Sequence, residues 1–222
     1  MTTSYVNSAA AESDTLTMPS HQAGDLIIGV AARYASSVVP TVPAGWFYLA
    51  ERANANRYSV YAFKIAANAS ETFGTWTNGE LVAVGVWRDD ANLLIPGAYA
   101  GYSQASGTAC EYEDLFASTI ALIGKQRASS WVAGFAGSSS NSLAIETPPS
   151  GMTNRTHVAG GSVGEIAVHD SNGNVTWASQ TVTLGSASAL QTFTVELWDT
   201  GIAKSASGTA RPSLPFMQQV IG

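Results

Sequence analysis

The chain has 222 residues, 45% of them hydrophobic and only 12% charged, with a formal net charge of −6. That balance excludes charge-driven disorder, and ten Lys and Arg in an acidic chain supply no basic face for nucleic acid. No run of 18 apolar residues suits membrane insertion. The opening MTTSYVNSAAAESD carries neither the basic nor the apolar region of a secretory leader. The lone Cys110 leaves no internal disulfide and no cysteine zinc site.

Helical periodicity is nearly absent, and short β-branched and aromatic runs recur between Gly, Pro, Asn and Ser clusters. Residues 25–33 (DLIIGVAAR) read as a central strand covered on both sides. Residues 57–65 (RYSVYAFKI) alternate, with Tyr58, Val60, Ala62 and Lys64 on one face and Ser59, Tyr61, Phe63 and Ile65 on the other. Further strands are expected at 80–88, 116–123, 130–136, 164–170 and 192–198. From Gly201 the chain carries Gly208, Pro212 and Pro215 and reads as an extension or arm over 201–222.

This spacing predicts an all-β fold, an antiparallel β-sandwich of jelly-roll-like kind filling residues 1–200. Leu26, Ile28, Val60, Phe63, Val84, Val86, Val132, Phe135, Phe193 and Val195 are expected among its inward residues.

Residues 25–90 and 131–199 carry an internal echo. Pro43-Ala44-Gly45-Trp46 recurs as Pro149-Ser150-Gly151-Met152, offset by 106 residues, and Asp25-Leu26 meets Trp131-Val132 at the same offset. Each turn is followed by a strand, then a Trp (Trp76, Trp177), then a closing strand ending near Trp (Trp87, Trp198). Two β-meanders packed as one sandwich and two successive lobes both fit this pattern.

Chemistry is sparse. Gly160-Gly161-Ser162-Val163-Gly164 matches the nucleophile-elbow string, but strand-like residues flank it on both sides where the elbow needs a following helix. A glycine-rich hairpin loop is the reading. His157, His169 and Asp170 show no metal-ligand spacing. Asn172-Gly173 signals a two-residue hairpin turn, and the D-x-N-G run lacks the downstream Glu of a calcium loop. Glu111 and Glu113 share a strand face as a glycosidase pair would, beside Asp114. An acidic edge strand that resists aggregation is the simpler reading. No catalytic residue, cofactor or metal site is assigned.

Of the six tryptophans, Trp76 and Trp177 are flanked by Thr, Asn and Ser and are expected to see solvent, where an indole face can stack on a sugar. In the tail, Leu214, Phe216 and Met217 are awkward to leave in water and are expected to dock on a neighbouring subunit.

Three groups of residues carry a resemblance over most of 20–200. They are Ala23-Gly24-Asp25-Leu26-Ile27-Ile28 with Val42-Pro43-Ala44-Gly45-Trp46, then Glu71 to Trp76, then Trp131 to Phe135 with Pro148 to Arg155. The chain resembles β-sandwich proteins of tailed bacteriophages and prophages. That resemblance implies a non-enzymatic virion structural protein of the tail, fibre or head surface, with other virion proteins as partners. Homo-oligomerisation, assembly in the bacterial host cytoplasm and location in the virion follow as expectations, with no nucleic-acid partner and no membrane insertion. A module binding host surface glycan is the alternative, and a glycan-degrading enzyme using Glu111 or Glu113 is a third reading.

Overall fold

A computed structural model describes residues 3–34, 37–54, 57–113, 115, 130–140, 145, 147–161 and 163–204. No helix occurs among them. Five strands come from the first half of the chain: β1 (Thr3–Ala11), β2 (Leu26–Tyr34), β3 (Phe47–Asn54), β4 (Arg57–Ile65) and β5 (Leu81–Asp89). Five more follow: β6 (Asn92–Tyr112), β7 (Trp131–Ser138), β8 (Thr153–Gly160), β9 (Gly164–Asp170) and β10 (Gln180–Ala203). The two sets make two antiparallel sheets, ordered β1-β5-β2-β4-β3 and β6-β10-β7-β9-β8, packed face to face as an all-β antiparallel sandwich.

Adding five to each strand of the first order yields the second. The correspondence reaches local detail. Gly45 and Gly151 both close their turns at positive φ, +85° and +83°, and Trp46 and Met152 each donate a backbone N–H to the Pro carbonyl three residues back. Only glycine takes that conformation without steric cost. The bulge between Tyr48 and Ala50 in β3 recurs between Asn154 and Thr156 in β8. The bulge in β1 opposite Trp87 and Val86 recurs in β6 opposite Leu197 and Val195.

One detail of the sequence comparison is corrected. The turns keep the 106-residue offset, but the inward strand residues that correspond are Leu26 and Trp131, one residue closer. A strand shifted by one residue presents its opposite face, so strand and turn do not share one register.

Strand alternation then places the side chains. Leu26, Ile28, Val30, Tyr61, Phe63 and Trp87 of the first sheet meet Trp131, Phe135, Ile166, Val168, Phe193 and Val195 of the second in one core. Tyr61 stacks on Phe193 with ring centroids 4.2 Å apart, an aromatic pair that adds to burial. Val60, Val84, Val86 and Val132, expected inward, are buried on the outer faces instead. Both sheets are apolar on both faces, so each outer face needs its own cover. Trp46, Phe73 and Trp76 cover the first sheet, and Leu115, Ile145, Met152 and Trp177 cover the second.

Glycine makes the cover fit. A Cβ on Gly29, midway along β2, would lie 2.9 Å from the Trp46 ring and 3.2 Å from that of Trp76. On Gly134 of β7 it would lie 2.8 Å from the Tyr112 ring and 3.0 Å from Met152. In both halves the central strand gives up a side chain so that a bulky group can rest on its backbone.

The facing pairs are exchanged by the same correspondence. Trp87 of β5 donates Nε1–H to Asp170 of β9 at 3.0 Å, and Tyr61 of β4 meets Phe193 of β10. At one side of the sandwich Ser8 of β1 donates to the Arg155 carbonyl of β8 at 2.9 Å. At the other, β3 lies beside β6, with Arg52 against Gly101. The halves are therefore related by an approximate twofold axis between β2 and β7.

Strands β4 and β9 match their expected limits, while β1, β3 and most of β6 were not read from sequence. The 192–198 run is the middle of β10, which continues to Ala203. Lys204 then donates its N–H to the Ala91 carbonyl at 3.1 Å. Residues 201–204 thus belong to the sandwich rather than to an arm. The expected strand at 116–123 lies outside the described residues.

Gly85 tests the packing around Trp87, whose ring lies back over it. A Cβ there would fall 2.2 Å from the indole. Gly85→Ala is expected to displace the ring from Asp170 and to lower unfolding free energy by about 1–3 kcal/mol. Urea denaturation measures this, and a loss under about 0.5 kcal/mol would show that the indole has room to move.

Candidate functional site

Trp76 is 0% exposed and Trp177 5% exposed, so neither presents a face to a sugar. Local polar neighbours misled the sequence reading, because the covering loops turn these rings inward. The Trp76 backbone N–H donates to the Asp14 carbonyl at 2.7 Å, and its ring packs on Trp46 and Phe73. Trp177 donates Nε1–H to the Glu113 carbonyl at 2.9 Å. Leu214, Phe216 and Met217 lie outside the described residues.

The acidic and histidine candidates are dispersed. Glu111 is exposed and Glu113 half-buried, and Asp114 and Ser162 lie outside the described residues. The glycine-rich string is a turn between antiparallel β8 and β9, with Gly160 opposite Gly164. Asp170 is fully engaged: Arg155 grips both its oxygens at 2.8 and 2.9 Å, and the Asn172 N–H adds a third partner at 2.9 Å. Asn172 has φ +49°, as a turn requires, but no hairpin results. The chain leaves β9, bridges Val175 to Ser130, and only then enters β10.

His157 and Glu165 meet at 3.1 Å. His169 is buried, with its Nδ1 2.8 Å from the Tyr112 hydroxyl and its Nε2 without a hydrogen bond. Among the described residues no group of three or more His, Cys, Asp and Glu is placed to hold a metal ion.

The other buried ionisable groups tie the sheets together. The Arg57 guanidinium lies 4.2 Å over the Tyr34 ring and donates to the Tyr34 hydroxyl and the Ala189 carbonyl. Tyr34 in turn donates to the Glu165 carbonyl at 3.1 Å. Burial lowers the Arg57 pKa, and the neighbouring tyrosines oppose that shift. Burial pushes the Tyr61 hydroxyl up to about 12 and the Cys110 thiol up to about 11, so neither is a ready nucleophile at neutral pH.

Among the described residues, exposed aromatics gather on the side formed by β3 and β6, each an edge strand of its sheet. Phe47 is 44% exposed, Tyr48 58% and Tyr102 36%. Phe47 leans on Phe63 with centroids 5.4 Å apart. The Tyr48 hydroxyl is shifted upward by partial burial and then by the charge of Glu51. Arg52, the next residue, donates to the Glu51 carbonyl at 2.9 Å. On the opposite side of the sandwich the Arg155 guanidinium lies 4.1 Å over the Tyr5 ring. The three exposed rings on this side can stack on a flat ligand or pack against protein.

Sequence reasoning passed over Phe47 and Tyr48. The two adjacent aromatics directly after a P-x-G turn were the available signal, but edge position is not legible in a single strand.

These features define an all-β antiparallel sandwich with an aromatic edge. Compared with family models, curated proteins and solved structures, the chain matches none.

His169 carries a pH dependence. Its pKa falls from 6.5 to about 4, chiefly through burial, so the folded state holds it neutral while the unfolded chain takes up a proton first. Its contribution is complete above about 6.5 and is lost as pH falls toward about 4, a swing of roughly 3 kcal/mol at about 1.4 kcal/mol per unit. His169→Gln is expected to flatten the stability loss between pH 7 and 4.5 in urea titrations. An unchanged acid limb would remove His169 as its source.

Proposed function

We propose that this protein is a non-enzymatic structural subunit of a tailed-phage virion, a component of tail, fibre or head surface that works through subunit contacts. The observation that carries the reading is the β3/β6 edge, where Phe47, Tyr48 and Tyr102 are exposed. Large aromatics left in water on one side of a sandwich are the anchors a protein interface uses. The resemblance of the 20–200 region to phage β-sandwich proteins supports the same reading. Partners are other copies of the chain and further virion proteins, with Leu214, Phe216 and Met217 as a second docking group.

Sedimentation of the full chain and mass spectrometry of purified particles from the host test the proposal. Phe47→Ser with Tyr48→Ser is expected to weaken assembly at least about tenfold, the effect of roughly 1.4 kcal/mol at an interface, with unchanged unfolding midpoint. Removal of 205–222 is expected to leave a folded domain that assembles poorly. Absence of the protein from particles, or assembly unaffected by either change, would refute the subunit role.

The glycan-binding reading has one observation in its favour. Tyr48 offers an exposed ring on the strand that also carries Glu51 and Arg52, and a stacking face with hydrogen-bonding groups near it is what holds a sugar. A glycan array with Tyr48→Ala as control separates it from pure assembly. Binding that survives the substitution would move the site elsewhere.

A further inference from the structure

The two halves of the molecule are complementary objects joined once. Each sheet consists wholly of β1–β5 or of β6–β10, so every ladder hydrogen bond stays within one half. Across the boundary run apolar packing and side-chain bonds: Trp87 to Asp170, Ser59 to Gln191, Arg57 to the Ala189 carbonyl and Tyr34 to the Glu165 carbonyl. Each half already covers its own outer face. A half is therefore a sheet finished on one face and bare on the other, and the bare face cannot stay in water.

The covalent joint is a reversal at residues 90 and 91. Asp89 Oδ1 holds it, accepting from the N–H of Ala91 at 2.9 Å and of Asn92 at 2.8 Å. The inner faces do not register whether the sheet opposite belongs to the same chain. A closed dimer built from exchanged halves satisfies every contact between the inner faces of the two sheets.

We propose that the inner face of each half is an interaction surface whose partner is the opposite half of a second copy of this chain. The protein exchanges halves about the 89–92 hinge into a dimer of two complete sandwiches. A short hinge tips that balance, because the closed monomer requires the tight reversal and the exchanged dimer does not. The proposal rests on the fold alone and stands or falls apart from the virion reading.

Deleting Asp90 and Ala91 from the full chain removes the reversal, so β5 runs on toward β6. The expected result is a doubled mass by sedimentation, with an unchanged β signal in circular dichroism. A second variant places a protease site between residues 90 and 91 of the otherwise intact chain. After cleavage the halves are expected to stay together at the intact mass and to re-form after denaturation and dilution. A shortened chain that is monomeric or unfolded overturns the exchange. Cleaved halves that separate, or fail to re-form, overturn the complementary surfaces.

Discussion

Everything in this molecule depends on one constraint: both sheets are apolar on both faces. Leu26, Ile28 and Val30 of β2 point one way and Ile27 and Ala31 the other, and all are fully buried. A sheet of this kind must be covered twice. The opposite half supplies one cover and the sheet's own loops supply the second. Three apolar layers result, and they account for why a chain with so few charges can bury five of its six tryptophans. The largest rings do the covering, because a loop has few residues with which to shield a wide surface.

Burying so much also traps polar groups, and several of the charged ones are held by partners. Asp25 is fully buried and gripped by Arg88 through two 2.7 Å bonds, fixing the entry to β2. Asp170 is held by Arg155 and Trp87 at the exit of β9. Glu196, nearly buried, accepts from Ser130 and from the Ala98 N–H at 3.2 Å within the β6 bulge. Arg57 is the exception in kind, a buried cation answered by an aromatic face, a hydroxyl and a carbonyl rather than by a carboxylate. Breaking any of these leaves an unpaired buried group, which is more costly than the bond is favourable. Of these, the bonds from Trp87 to Asp170 and from Arg57 to the Ala189 carbonyl cross between the halves and help to specify how the halves sit together.

The same economy of polar groups shapes what the surface can do. Carboxylates and histidines that looked available in the sequence are engaged in holding turns and strands, as Asp170 and the His157–Glu165 pair are. The β3/β6 side leaves Phe47, Tyr48 and Tyr102 exposed, while on the opposite side Arg155 lies over Tyr5. The approximate twofold relates these two sides through the backbone, yet their side chains diverge.

The sequence by itself determined the class of fold, because alternation in 57–65 and the apolar run at 25–33 have no helical reading. It also carried the echo between the Pro43 and Pro149 turns, since both need glycine at the same place for the same conformational reason. Edge strands escaped it. Thr3–Ala11 is half covered throughout and Phe47–Asn54 mixes exposed, half-covered and buried positions, so their residues follow no sharp alternation, and their pairing to β5 and β4 decides them. The fate of Trp76 and Trp177 was likewise decided by tertiary structure, because polar neighbours in a loop say nothing about which way the loop folds. Only the packed molecule fixes which of two apolar faces looks inward. A strand covered on both sides has no polar face to mark the outside, and Val60, Val84, Val86 and Val132 therefore lie under loops rather than between the sheets.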